Sequence, residues 1–126
     1  MGAITGDARR DGDAPMIHAT AIVHPSARLG AETSVWQGAF VGEETETGPR
    51  CCVGSCAWVG HRVMLGMDVR IQHGAFIPSG TQIGNRVFIG PNATLCDDLY
   101  PRVNHQFYLA EPPTIDHDAA IGAGAV

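Results

Sequence analysis

Aliphatic residues recur at every sixth position over most of the chain. From Ile17 to Leu95, thirteen of fourteen successive steps fall on Ile, Leu or Val, and Thr47 is the exception. These thirteen are more than half of the 24 Ile, Leu and Val residues in the chain. An amphipathic helix needs apolar residues about every 3.6 positions. The period of six instead predicts an all-β coil with three flat faces, one short strand per face and the aliphatic side chains inside.

Two further columns of the repeat support this architecture. The residue four positions after each aliphatic is mostly small or β-branched, which suits short, half-buried strands. Glycine often follows the aliphatic directly, where we expect a tight corner that favours a residue without Cβ. These glycines are Gly30, Gly42, Gly48, Gly54, Gly60, Gly66, Gly84 and Gly90.

The repeat is interrupted once. Residues 97–113 contain three prolines and no period, and the hexads resume at Ile115 and Ile121. We predict a flexible tail over 1–16 and a repeat domain over 17–126 with an excursion loop over 97–113. Long excursions are more often functional than ornamental, although a purely structural loop is the alternative. Because the last repeat ends mid-coil without a cap, we expect a longer native chain or a covering subunit.

Composition narrows the classes of function. With 126 residues and a net charge of −5, the chain is long enough for one domain and has no basic surface for nucleic acid or anionic membrane. No apolar run approaches the roughly 20 residues that span a bilayer, and the N-terminus does not resemble a signal peptide. We therefore expect a cytoplasmic protein. The cysteines have no paired spacing, so we expect reduced thiols and no metal.

Residues 17–96 resemble the hexapeptide-repeat proteins of left-handed parallel β-helix fold. Three segments further resemble bacterial N-acetyltransferases that modify nucleotide-linked amino sugars: VRIQHGAFIPSG (69–80), FIGPNATLCDDLYPR (88–102) and EPPTIDHDAAIGAGAV (111–126). The resemblance implies an acyltransferase that moves acetyl from acetyl-CoA to the amine of a nucleotide-linked amino sugar. It also implies a homotrimer with active sites between subunits.

Two of these segments carry the candidate catalytic residues. His73 follows Gln72 at a position where the similar enzymes often have Asn, and we predict His73 as the general base because histidine accepts protons near neutral pH. Gln72 is a candidate contact to the substrate. Asp97 and Asp98 match an acidic pair in the family phrase, and they are candidates to bind the acceptor's ammonium group or to orient an imidazole. The alternatives are a surface histidine and ordinary turn-forming aspartates.

The excursion contributes further candidates for substrate binding. Tyr100 and Arg102 match a Tyr-Pro-Arg element, and the resemblance places them near the nucleotide or phosphate of the activated sugar; arginine suits bidentate phosphate recognition. His105 lies within the loop and is a weaker candidate base. His61 ranks lower still, because Val-Gly-His is an ordinary corner of the repeat.

Two other functions remain open. A non-catalytic or truncated β-helix scaffold would need neither the excursion nor the Tyr-Pro-Arg element. A γ-class carbonic anhydrase would bind zinc through two histidines 36 residues apart and a third five residues further. No two of the six histidines differ by a multiple of eighteen or by five, which disfavours this zinc site.

Overall fold

Short strands at regular intervals build the molecule. The computed structural model describes residues 13–103 and 109–126, and in these ranges the chain forms fourteen strands of two residues each. The second residue of each strand is the inward position of a hexad. The strands are β1 Met16–Ile17, β2 Ile22–Val23, β3 Ser34–Val35, β4 Phe40–Val41, β5 Glu46–Thr47, β6 Cys52–Val53, β7 Trp58–Val59, β8 Met64–Leu65, β9 Arg70–Ile71, β10 Phe76–Ile77, β11 Gln82–Ile83, β12 Phe88–Ile89, β13 Thr114–Ile115 and β14 Ala120–Ile121.

The strands pair in parallel into three sheets. Their orders are β1-β3-β6-β9-β12-β14, β2-β4-β7-β10 and β13-β11-β8-β5. Paired residues are eighteen apart before the excursion, as in Val53↔Ile71, and thirty-two apart across it, as in Ile83↔Ile115. The predicted left-handed parallel β-helix with one long excursion is confirmed.

The core is the aliphatic column inside the three sheets. Val41, Val53, Ile71, Ile77 and Ile89 are all 0% exposed. The smaller column packs beside them, and its buried members include alanines, valines and threonines. Full burial of aliphatic side chains is the main favourable contribution to folding, at about 1.5–3 kcal/mol each. The hexad pattern therefore supplies most of the packing energy of the coil.

Thr47, the one break in the aliphatic series, is also buried. Its hydroxyl oxygen accepts the main-chain N–H of Gly30 at 3.0 Å, and the hydroxyl donates to the Gly48 carbonyl at 3.0 Å. A buried hydroxyl is tolerated when it is hydrogen-bonded. The polar residue therefore fits the core without an unsatisfied group.

The glycines that follow the aliphatics allow neighbouring coils to approach closely. A Cβ on Gly48 would lie 2.9 Å from the carbonyl carbon of Gly66, which is too close for two carbon atoms. The left-handed turn itself comes two residues later, where nine non-glycine residues of the described ranges have φ between 53° and 63°. The expected corner is present, but the requirement for glycine arises from the spacing between coils.

The excursion leaves the sheet after Thr94, which bridges to Phe76, and returns at Thr114. Its two ends meet where the N–H of Glu111 donates to the carbonyl of Asp97 at 2.8 Å. The predicted domain bounds stay a prediction because residues 1–12 lie outside the described part; β1 begins at Met16. Within the described ranges, no helix has the length and apolar composition needed to cross a membrane.

Candidate active site

The turns between strands stack into three corners. Corner A comprises 19–20, 37–38, 55–56, 73–74, 91–92 and 123–124; corner B comprises 25–26, 43–44, 61–62 and 79–80; corner C comprises 31–32, 49–50, 67–68, 85–86 and 117–118. The predicted base His73 lies at corner A. The excursion leaves from corner B, above 79–80.

His73 is exposed, and its imidazole makes no hydrogen bond or ion pair within the described residues. Its main-chain carbonyl accepts the N–H of Asn92 at 2.9 Å. The preceding Gln72 is half-buried and donates its main-chain N–H to Ile89 at 2.9 Å. Both ring nitrogens of His73 are thus available to a ligand, in either tautomer.

The other four histidines of the described ranges use Nδ1 as an acceptor. His18 and His24 each accept the N–H of the residue two positions on, at 3.1 Å. His61 accepts the N–H of Glu43 at 3.0 Å, and His117 accepts that of Asn85 at 2.8 Å. A nitrogen that accepts carries no proton, so the neutral ring holds its proton on Nε2. These imidazoles are donors at their outer edge, whereas a general base needs a free acceptor.

His61 is the most constrained of the five. Its ring meets Phe40 and Trp58 edge-on, with centroids 6.0 and 6.3 Å away. Its Nδ1 also lies 3.9 Å from Oε1 of Glu43. His61 is the weakest candidate base by its sequence pattern, and these contacts fix its ring in place at corner B.

A stack of three aromatic rings covers the sheet between corners A and B. Phe40, Trp58 and Phe76, here called the aromatic ladder, stack with centroids 5.4 and 5.0 Å apart and nearly parallel planes. Phe76 is 40% exposed, and Ile22, in the same column, is 63% exposed. This surface of the sheet, here called the aromatic face, is therefore apolar and open.

The acidic candidates lie at the base of the excursion. Asp97, Asp98 and Glu111 line a cavity of about 150 Å³ together with Cys96 and Leu99. Oδ1 of Asp98 accepts the N–H of Tyr100 at 2.9 Å. This is the geometry of a turn-forming aspartate, the alternative to a role in binding the acceptor. The three carboxylates nevertheless form a negative cavity that suits an ammonium group.

The structure does not bring all the predicted residues together within one chain. Thr94 is in register with Phe76, so Asp97 follows at the corner B edge of the aromatic face, whereas His73 precedes Phe76 at the corner A edge. Tyr100 is exposed next to the acidic cavity, where its main-chain N–H bonds Asp98, and Arg102 is also exposed. The candidate His105 lies outside the described residues. Their roles in the site therefore stay predictions.

A second cavity, of about 320 Å³, lies beside corner C and was not predicted. Met64, Gln82 and Thr114 form its floor, and Asn85 and His117 form its edge. The sequence pattern did not predict this cavity, because the excursion changes the spacing of stacked residues from eighteen to thirty-two. Gly66 and Gly84 also line the cavity. Their spacing of eighteen residues is the sequence feature that could have indicated this cavity.

Corner C also carries a ladder of alternating charges. Glu32, Arg50, Asp68, Arg86 and Asp118 occupy equivalent positions in successive coils and are here called the charged ladder. Arg50 bonds Asp68 at 2.9 and 3.1 Å, and Arg86 bonds Asp118 at 2.7 and 3.1 Å. The hydrogen bonds from these arginines lower the pKa of each aspartate. The ladder links neighbouring coils.

The described residues contain no group of three His, Cys, Asp or Glu side chains that could hold a metal ion. The four cysteines are unpaired. Burial raises the pKa of the Cys51 thiol, which donates to the carbonyl of Gly66 at 3.0 Å. Cys51 is thus a packing residue, and the expectation of a protein without metal remains untested.

Fold and repeat define the class: the chain is a left-handed parallel β-helix built from hexapeptide repeats. The model of the bacterial transferase hexapeptide family, described as six repeats, matches residues 62–97. A comparison with curated protein sequences gives no significant match.

Among solved structures, the chain is similar to the acetyltransferase domain of PglB from Neisseria gonorrhoeae FA1090 in complex with acetyl coenzyme A. The TM-score is 0.76 and the identity 28%, over 89% of this chain and 48% of that one. It is also similar to a point mutant of perosamine N-acetyltransferase from Caulobacter crescentus in complex with CoA and GDP-perosamine. Here the TM-score is 0.75 and the identity 26%, over 94% of this chain and 51% of that one. The chain therefore spans about half the length of these enzymes, and the resemblance predicted from sequence is confirmed.

Proposed function

We propose that this chain forms the β-helix of an acyltransferase that moves acetyl from acetyl-CoA to the amine of a nucleotide-linked amino sugar. The observation that carries the proposal is the likeness to two acetyltransferase structures at 26–28% identity over 89–94% of the chain. One of these holds acetyl coenzyme A, and the other holds CoA with GDP-perosamine. Both the acyl donor and the class of acceptor are taken from them.

The reaction needs few groups from the protein. The acceptor's ammonium loses a proton, and the free amine attacks the thioester carbonyl. The C–S bond then breaks, the nitrogen loses a second proton as the amide forms, and the CoA thiolate takes up a proton. A histidine with an open nitrogen can accept one of the two protons that the nitrogen loses and give it to the leaving sulfur, and the other proton goes to solvent. His73 is the described histidine whose Nδ1 is not already accepting a main-chain N–H, so we assign this role to it.

The acidic cavity supplies a second function. Asp97, Asp98 and Glu111 attract the cationic amine and hold it before deprotonation. Gln72 contacts the acceptor beside His73, Tyr100 and Arg102 contact the nucleotide part, and His105 stays the weaker candidate base within the loop. Holding both substrates in one groove accounts for much of the rate enhancement.

We further propose a homotrimer that associates through the aromatic face. A contiguous apolar surface marks an interaction site. In a ring of three, one edge of each face meets the opposite edge of the next subunit. Corner A of one chain then lies near corner B and the excursion of its neighbour, which joins His73 to an acidic cavity that is distant within its own chain. Unpaired cysteines suit a reducing compartment, and we place the reaction in the cytoplasm.

The proposal is tested by measuring acetyl transfer from acetyl-CoA to a panel of nucleotide-linked amino sugars, with product detected by mass spectrometry. Binding of acetyl-CoA is measured separately by calorimetry. Turnover with a nucleotide-linked amino sugar, and none with the matching sugar lacking the amine, supports the assignment. A folded protein that neither binds acetyl-CoA nor turns over refutes it and favours a β-helix scaffold. Turnover only with other amines keeps the acyltransferase and overturns the acceptor.

A further inference from the structure

Strand β11 offers the coil that returns from the excursion more than one aliphatic register. Strand β13 places Ile115 against Ile83, and Ile121, six residues on, has the same side chain and the same hexad position. On strand β11, the main-chain hydrogen bonds that Gln82 and Gly84 donate would find equivalent carbonyls in both alignments. Lengthening a loop by six residues changes its closure entropy little. Aliphatic pairing at this position therefore specifies the register weakly.

Two side-chain contacts at corner C distinguish the registers. Nδ1 of His117 accepts the N–H of Asn85 at 2.8 Å. Asp118 receives both Nε and a terminal nitrogen of Arg86, at 2.7 and 3.1 Å. If the returning coil slipped by six residues, Ala123 and Gly124 would take these places. Neither has a side-chain acceptor or charge, so both contacts would be lost.

A slip in the opposite direction is blocked by proline. It would put Leu109 against Ile83 and Pro112 against Arg86. The residue at that position needs a left-handed turn, since Asp118 has φ 63° there. Proline is restricted to φ near −65° and cannot adopt it. In the observed register Pro112 packs instead against Gly80, where a Cβ would lie 3.0 Å from its Cγ.

We infer that His117 and Asp118 form a register lock that sets where the excursion ends. The pairing of strand β14 with β12 favours the same register. The lock adds side-chain hydrogen bonds, which the small and aliphatic residues of this coil cannot form. With the lock closed, the N–H of Glu111 reaches the carbonyl of Asp97 at 2.8 Å and the acidic cavity is complete. A slipped coil would move six more residues into the excursion and separate its two ends. This lock operates whether or not the protein transfers acetyl groups.

Competing disulfides measure the register directly. Positions 82 and 114 face each other in the observed register, and 82 and 120 would do so after the slip. Adjacent strands are about 4.8 Å apart, within the Cα separation that a disulfide spans. The reporter chain carries Gln82→Cys, Thr114→Cys and Ala120→Cys, with Cys52, Cys56 and Cys96 replaced by serine. After oxidation with diamide, peptide mass spectrometry gives the ratio of the 82–120 bond to the 82–114 bond.

Adding His117→Ala and Asp118→Ala should raise this ratio by about tenfold or more, the equivalent of one net hydrogen bond. Asp68→Ala is the matched control, because it removes the other bonded pair of the charged ladder without touching the returning coil. In this control, the ratio of the 82–120 bond to the 82–114 bond should equal that of the reporter chain. An unchanged ratio in the double variant overturns the lock.

A charge swap separates the lock from a general loss of stability. Arg86→Asp alone should raise the ratio, and adding Asp118→Arg should restore it. Both residue types already adopt the left-handed turn at this corner, at Arg50 and Asp68. If circular dichroism shows that the double alanine variant is unfolded, His117→Ala and Asp118→Asn are measured singly. An unchanged ratio in both, or no recovery in the swap, refutes the inference.

Discussion

Five histidines in the described ranges have the same titrating group but different surroundings. Four place Nδ1 on a main-chain N–H, either two residues on or in the neighbouring coil. These contacts satisfy main-chain donors at the turns and fix one tautomer of each ring. His73 alone among them has both nitrogens open. Its difference from the others could not be seen in the sequence, where all five follow an aliphatic by one or two positions.

Replacing His73 with alanine should slow acetyl transfer by roughly 10²–10⁴ while leaving acetyl-CoA binding unchanged, because only proton transfer is lost. The measurement is kcat with a nucleotide-linked amino sugar, alongside calorimetric binding of the donor. His73→Asn, which restores the residue common among similar enzymes, is the companion variant. A wild-type rate in the alanine variant removes His73 from the mechanism.

A single buried aliphatic tests the assignment of inward and outward positions. Ile71→Ala should lower the free energy of unfolding by about 2–5 kcal/mol, because a fully buried side chain leaves a cavity. Arg70→Ala, in the same strand but facing out, should change it by less than about 0.5 kcal/mol. Denaturant unfolding measures both. Equal effects would mean that the hexad phase is wrong.

At the scale of elements, the charged ladder links coils whose strands are only two residues long. Hydrogen bonds from arginine lower the pKa of Asp68 and Asp118 below the ordinary value of 3.8. A lowered carboxyl pKa stabilises the folded state fully above the unfolded-state pKa. That stabilisation is lost as the pH falls through the folded-state pKa. The ladder therefore contributes at neutral pH and fails in acid.

Asp68→Asn and Asp118→Asn should each lower the Tm at pH 7, and the difference from wild type should shrink below pH about 4. High salt should also reduce it, since the pairs are exposed. Glu46→Gln is the control: the outward strand carboxylate of Glu46 lacks a side-chain partner within the described residues, so its Tm should follow wild type throughout. Differences that persist unchanged at pH about 3 would exclude the ladder as their source.

The sequence predicted the elements well because stacking repeats the same requirement every six residues. Ile17 to Leu95 could be assigned to inward positions without any knowledge of side-chain contacts. The side-chain contacts at the corners could not be predicted in this way. His117 lies above Asn85 only because the excursion replaces a spacing of eighteen by thirty-two, and no periodic pattern contains that number. Likewise, His73 and Asp97 were grouped by resemblance, yet they occupy opposite edges of one face.

At the scale of the whole molecule, the aromatic face is the surface through which we propose that copies associate. If the proposed trimer forms through this face, Phe76→Ser should reduce it to smaller species at micromolar concentration, because the substitution places a polar group in the apolar interface. Phe88→Ser offers a matched control, since Phe88 is equally exposed, at 40%, but lies on another sheet between Arg70 and Ala120. Light scattering after size exclusion gives the mass of each variant. The same loss in both, or in neither, would exclude the aromatic face.

The charged ladder also restricts how a solenoid of this kind can change length. Removing residues 33–50 deletes one full turn and leaves every strand in register, but it stacks Glu32 directly against Asp68. Removing residues 33–68 deletes two turns and stacks Glu32 against Arg86, which restores alternation. The backbone accepts any whole number of turns, but removing an odd number places like charges next to each other at corner C, whereas removing an even number keeps the signs alternating. The signs of these five side chains thus favour changes in length by an even number of turns.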